Sequence, residues 1–172
     1  MRHIISILMQ NEAGALARVV AMFSSRGYNI ESLSVAPTED SHISRLTLVT
    51  SGSDGVIEQI IKQLLKLVDV VNAADMTMGD HIERELMLMK VKLRHTDEDA
   101  LSGIIDSAGA RVLDDCPDTY TLELTGENNQ MDDFIARVGS CADILAVVRS
   151  GAMAIAHGEK VLSAITWEKP SQ

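Results

Sequence analysis

Apolar and polar positions alternate along this chain in blocks that carry strand and helix periods by turns. Ile4 to Met9 is β-prone and almost wholly apolar, as a strand buried on both faces would be. After the polar break Gln10-Asn11-Glu12, residues Leu16, Val19, Val20 and Phe23 recur at i, i+3, i+4 and i+7, one face of an amphipathic helix. Ser24-Ser25-Arg26-Gly27 ends that helix, with Gly27 placed as a C′ glycine. Tyr28-Asn29-Ile30 opens a second strand that runs to about Ala36, and Pro37 to Ser41 forms a hairpin-type loop. Ile43 to Thr50 alternates, with Leu46 and Leu48 on one face and Arg45, Thr47 and Val49 on the other. Ser51 to Asp54 breaks this strand and caps a helix carrying Ile57, Ile60, Ile61, Leu64 and Val68. Val70 to Met78 reads as a further strand.

The order β-α-β-β-α-β is the split βαβ, or ferredoxin-like, arrangement: a four-stranded antiparallel sheet with two helices on one face. Its other face needs a cover, and a partner sheet or subunit is expected there. The pattern then starts again after the polar stretch Gly79 to Arg84, the candidate linker. Glu85 to Leu93 is a strand. A helix with Thr96 as N-cap and an apolar face of Leu101, Ile104, Ile105 and Ala108 follows, and Gly109 stops it. Ala110 to Leu113 is a strand, Asp114 to Asp118 a loop, and Tyr120 to Leu124 a strand. Met131, Phe134, Ile135 and Val138 mark a fourth helix, and Asp143 to Arg149 a final strand, with a short element at 151–157. The expected fold class is therefore α+β, with two tandem ferredoxin-like βαββαβ domains at 1–78 and 85–157, a linker at 79–84 and a flexible C-terminal tail at 158–172.

Charge narrows the function classes. The 172 residues carry a formal net charge of −10, which argues against nucleic acid or an anionic membrane surface as the main partner. The apolar run after Met1 is too short for a signal peptide, and no stretch is long enough to cross a bilayer. Cys116 and Cys141 form no CxxC pair and read as reduced thiols of a cytoplasmic protein, each a small buried hydrophobe. His3, His42, His81, His95 and His157 show no metal-ligand spacing, so no metal is expected. There is no GxSxG, GxGxxG or P-loop, and the consecutive Asp97, Glu98 and Asp99 point to different sides of a helix. The pattern argues for binding, with no catalytic residues.

The loop from Asn11 to Leu16 is where binding chemistry concentrates. A helix N-terminus offers unpaired N–H groups and partial positive charge, which favour a carboxylate or phosphate. Gly14 has no Cβ, so a ligand can approach the backbone. Asn11 and Asn29, at the end of the first strand and the start of the second, each carry an amide that donates and accepts. Together they suit a small zwitterion. The simpler reading, since caps and turns are ubiquitous, makes Asn11 a helix cap and Gly14 a turn residue, with no ligand at all.

The longer stretches NEAGAL (11–16), FSSRGYNIESL (23–33) and VAPT (35–38) then bear on the choice, with SRLT (44–47) and KLVDV (66–70). So do HIERELMLMKVKL (81–93), PDTYTL (117–122) and AVVRSG (146–151). In these motifs the chain resembles the regulatory small subunits of acetolactate synthase, also called acetohydroxyacid synthase, over nearly its whole length. The resemblance implies an amino-terminal ACT domain, a second ferredoxin-like domain and a large catalytic partner subunit. Thiamine diphosphate, Mg and FAD would belong to that partner. It implies that the chain raises the partner's activity and confers feedback inhibition by valine. By position, Asn11, Gly14, Ala15, Leu16, Asn29 and Ile30 match the family's effector-binding loop and facing strand. A homodimer through the first domain is expected. The alternative is a free-standing ACT-type amino-acid sensor acting on transcription, for which no basic helix-turn-helix pattern is present.

Overall fold

The computed structural model describes residues 1–77, 79–94 and 98–163. They form two compact units: Met1 to Ile82 joined by the segment from Ala152 onward, and Glu83 to Gly151. The first contains β1 (Arg2–Gln10), α1 (Ala15–Ser25), β2 (Ser32–Pro37), β3 (Ile43–Ser51), α2 (Asp54–Leu64) and β4 (Val70–Asp75). Its sheet order is β2-β3-β1-β4, with every neighbouring pair antiparallel. In the second, β5 (His81–Leu93), α3 (Glu98–Ala108), β6 (Arg111–Cys116), β7 (Thr119–Gly126), α4 (Asn128–Cys141) and β8 (Ala142–Arg149) repeat the path as β6-β7-β5-β8. Both are ferredoxin-like, and β9 (Met153–Ala156) follows. Among the described residues no helix is long and apolar enough to cross a membrane.

The first core lies between sheet and helices. Ile5, Ile7 and Met9 of β1 and Leu46 and Leu48 of β3 meet Val19 and Phe23 of α1 and Ile57, Ile60 and Leu64 of α2. Alternation along β1 sends its even-numbered neighbours to the opposite face, so His3 to Met9 are all buried although the strand's faces differ. The second core repeats this with Met87, Met89, Val91, Leu122, Phe134 and Val138. Both ends of α1 are built locally. Gly14, at φ 90°, is its N-cap, and Arg26 is its C-cap. Gly27 at φ 70° sits at C′, where its N–H donates to Ser24 O and the Tyr28 N–H to Phe23 O, a Schellman motif.

Several expectations from periodicity are corrected. The buried residues of α1 are Ala15, Val19, Met22 and Phe23, while Val20 is 39% exposed. Two overlapping stripes share Val19 and Phe23, and docking on the sheet selects the one through Met22. The second strand begins at Ser32; Tyr28 to Ile30 lie before it, with Tyr28 edge-on to Phe23 in the core. Val68 lies beyond the end of α2 at Leu64 and is exposed. The polar residues 81–84, read as linker, are the start of β5, because their alternating side chains leave the backbone free to pair. Asp114 to Cys116, read as loop, continue β6, an edge strand whose exposed positions tolerate carboxylates. The turn is confined to Pro117-Asp118, with Asp118 at φ 63°. Cys141 is buried, but Cys116 is exposed on that strand. Met78 and the Thr96 cap lie outside the described residues.

The cover of the first sheet is the largest correction. Ile4, Val49 and Met76 on its helix-free face pack against Ala152 and Ala154 of the chain's own C-terminal segment. Arg45 Nη2 donates to Leu162 O at 2.9 Å and Asn72 Nδ2 to Ser163 O at 3.0 Å. Residues 158–163, assigned to the flexible tail, thus include two positions tied by their carbonyls to the first sheet; the remainder of that tail, 164–172, lies outside the described residues.

Candidate effector site

At the end of β1 the chain turns into α1 under tight backbone control. Gln10 N donates to Asp69 O at 2.8 Å and Asn11 N to His42 O at 2.7 Å. The Asn11 side chain does not cap α1: its Nδ2 donates to Ser41 O at 2.9 Å, binding the turn to the loop before β3. The Ala15 N–H is taken by Glu12 O and that of Arg18 by Gly14 O. Leu16 and Ala17 therefore supply the first-turn donors that point along the helix axis. No acidic residue lies in that first turn, so its partial positive charge is not offset there. Ala15 is buried in the core, Leu16 half-buried at its edge, and Asn11 and Gly14 exposed.

The site also holds a cationic side chain that periodicity did not single out. Arg18 lies over Gly14, where a Cβ would stand 3.1 Å from its Nη1. The guanidinium is held by Asp69: Nη2 donates to Oδ1 at 2.8 Å and Nε to Oδ2. The hydrogen bond to Arg18 holds the Asp69 carboxyl below the usual carboxylate range, and the same bond raises Arg18. Asp69 is almost fully buried, while about half of the Arg18 side chain is open to solvent. The signal was present in the sequence as an arginine one turn after Gly14, but its partner lies 51 residues away.

Asn29 and Ile30 are not beside this loop. Asn29 is exposed and its carbonyl accepts from Thr50 Oγ1 at 2.6 Å; Ile30 packs on the first core. The strand register fixes their place. Gln10 pairs with Ile43 at one end of β3, whereas Ser32 pairs with Val49 and Arg2 with Ser51 at the other. The nine residues of β1 separate these ends, about 26 Å at roughly 3.3 Å per residue. One chain therefore carries the anion-favouring turn with Arg18 at one end of the sheet and the Asn29 segment at the other.

Comparison with known proteins agrees with the motifs. Residues 5–72 match the family model described as the AHAS small subunit-like ACT domain, and residues 84–158 match that of the small subunit of acetolactate synthase. The chain is 43% identical over 162 residues to the acetolactate synthase isozyme 3 small subunit of Escherichia coli, covering 94% of this chain and 99% of that one. It is 43% identical to the acetolactate synthase small subunit of Haemophilus influenzae over 93% of this chain and 98% of the relative. A crystal structure of the acetolactate synthase small subunit from Thermotoga maritima superposes with a TM-score of 0.83 at 27% identity, covering 93% of this chain and 99% of that one. With matching models over both domains and relatives matched nearly end to end, the chain belongs to the family of acetolactate synthase small subunits, with an ACT domain at its amino end.

Proposed function

We propose that this chain is the regulatory subunit of a cytoplasmic acetolactate synthase in branched-chain amino-acid biosynthesis. In this reading it raises the activity of the large subunit, which holds thiamine diphosphate, Mg and FAD, and makes that activity sensitive to valine. The effector carboxylate faces the first-turn N–H groups at Leu16 and Ala17, where Gly14 leaves room and Arg18 adds positive charge. Its ammonium group is accepted by the Asn29 side chain. Asn11, Ala15 and Ile30 shape the remaining walls.

The observation that carries this reading is the placement of the half-sites at opposite ends of one sheet. A small zwitterion cannot span about 26 Å, so the Asn11–Leu16 turn of one copy and the Asn29-Ile30 segment of a second enclose the ligand together. A twofold dimer through the first domain forms two such sites, and β2, an edge strand with Val35 39% exposed, suits that contact.

The test is acetolactate formation by the large subunit with and without this chain, each titrated with valine, alongside the mass of the chain by light scattering. No change in activity on adding the chain would remove the regulatory reading. A monomer at micromolar concentration would remove the shared site.

A further inference from the structure

The two units repeat one path but fill the space between their helices differently. In the first, the residue before the Gly27 helix stop is Arg26, whose Nη2 donates to Gln63 Oε1 at 2.9 Å, so a long side chain crosses from the end of α1 to α2. In the second, the residue before the Gly109 stop is Ala108, which cannot cross. Counted from the first residue of each helix, Asp54 and Asn128, Gln63 and Arg137 hold the same position. Arg137 Nη2 reaches back and donates to Ser107 Oγ at 2.5 Å. A cavity of about 370 Å³ opens beside it, between the end of α3, the end of β7 and α4. That volume is in the range of small-molecule sites.

The floor of this cavity is apolar and its rim is charged. Leu124 and Phe134, both buried, and half-buried Ala108 form the floor. At the rim Arg137 and Asp133 stand one helical turn apart, with Nη1 and Oδ2 3.7 Å from each other, further than a hydrogen bond. Their side chains are 39% and 67% exposed, so each is free to turn to a ligand. Asn129 Oδ1 accepts from Gln130 N and Gln130 Oε1 from Glu127 N, both at 2.8 Å, which leaves each of these lining amides its NH2 group to offer. Among the described lining residues Asp133 is the one carboxylate. The neighbouring Asp132 is turned to Arg149, accepting from its Nη1 at 2.9 Å.

We propose that the second unit holds a binding site of its own for a small aliphatic α-amino acid, with the carboxylate at Arg137 and Ser107, the ammonium at Asp133 and the side chain on Leu124 and Phe134. An α-amino acid carries both charges on one carbon, and the two rim charges are close enough to be met by them together. The floor offers no polar side chain, which selects an aliphatic ligand over a polar one. The rim charges are solvated, so half-saturation falls at about 0.1–10 mM. The site is independent of the Asn11–Leu16 turn and stands whether or not that turn binds valine.

The experiment titrates L-valine through that range into the full chain, labelled at its alanine and leucine methyl groups and followed by NMR. The Ala108 and Leu124 signals should move together and saturate. Ala108→Arg, which gives the second unit the side chain that the first carries at Arg26, should remove the Leu124 shift. Asp133→Asn and Arg137→Gln each delete one charge-assisted contact and should weaken binding about tenfold. Both lie at the rim, so they carry the test even where Ala108→Arg does not fold. Isovalerate and isobutylamine, each valine without one of its charges, should bind about tenfold more weakly or worse. Ala108 and Leu124 signals that do not saturate, or that shift equally in the Asp133 and Arg137 variants, overturn the site, and isovalerate matching valine overturns the assignment to an amino acid. The Leu16 signals report separately on the first unit: saturation there alone would refute the second site and leave the effector reading, and saturation at Ala108 and Leu124 alone would do the reverse.

Discussion

Arg18 and Asp69 close the base of the turn from β1 into α1 with a two-pronged ion pair, Nε and Nη2 of one gripping both carboxylate oxygens of the other. The pair joins the first turns of α1 to the residue before β4, and the Asp69 carbonyl also accepts from Gln10 at the end of β1. Three elements are thus held at the point where Gly14 must keep its left-handed backbone.

The pair predicts how stability depends on acid. The Asp69 carboxyl is lowered by Arg18, so its contribution is fully present above the ordinary aspartate range and is lost as pH falls through the folded value. Arg18→Ala should lower the unfolding midpoint at neutral pH, because it leaves a buried carboxylate without its partner. The gap from wild type should narrow as pH falls below the ordinary aspartate range and should close only beneath the lowered folded value, where Asp69 is protonated in both states. Thermal unfolding across this range reads it directly.

At Gly14 two effects are separable. Any side chain is strained at φ 90° and its Cβ meets Arg18 Nη1 at 3.1 Å. Gly14→Ala tests this alone and should raise the valine concentration for half inhibition severalfold. Gly14→Asp adds a carboxylate that competes with Asp69 for Arg18 and repels the ligand carboxylate, so inhibition should be lost. Activation should persist in both, since Val19, Met22 and Phe23 are untouched. A valine titration of the reconstituted holoenzyme, with folding checked by circular dichroism, measures the order.

If the two half-sites come from different copies, defects in different halves should complement. A mixture of Gly14→Asp and Asn29→Ala chains forms heterodimers in which one site carries both defects and the other neither. Valine inhibition should then reappear in part, although each variant alone has lost or weakened it. Failure of complementation in verified heterodimers would place both halves of the site within one chain.

Helix α1 offers a test of packing. Met22 is 7% exposed and Val20 39%. Met22→Ala should cost about 2–5 kcal/mol, and Val20→Ala less than about 1 kcal/mol. Urea unfolding midpoints at unchanged slope would decide between the two stripes.

The C-terminal segment should matter to the first domain. A chain ending at Gly151 loses Ala152 and Ala154 and uncovers Ile4, Val49 and Met76. It should bind a hydrophobic dye more strongly than the full chain and unfold at lower temperature. The fragment 1–80 should show the same exposure, so any activation it retains would come with increased self-association.

Local order was legible in the sequence. Buried runs, period-3.6 stripes and the Gly27 and Gly109 stops are properties of a few neighbouring residues, and they specify two βαββαβ paths before any packing is known. The Asn11–Leu16 turn was legible for the same reason. The remaining features depend on residues far apart in the chain. Which stripe of α1 faces inward is set by the sheet it meets, since Val19 and Phe23 belong to either. The pairing of Arg18 with Asp69, of His3 with Asp75, and of the first sheet with Ala152 and Ala154 spans separations that no local period records. The parting of Asn11 from Asn29 follows from register, because β3 lies between two parallel strands and puts their opposite ends at opposite ends of the sheet.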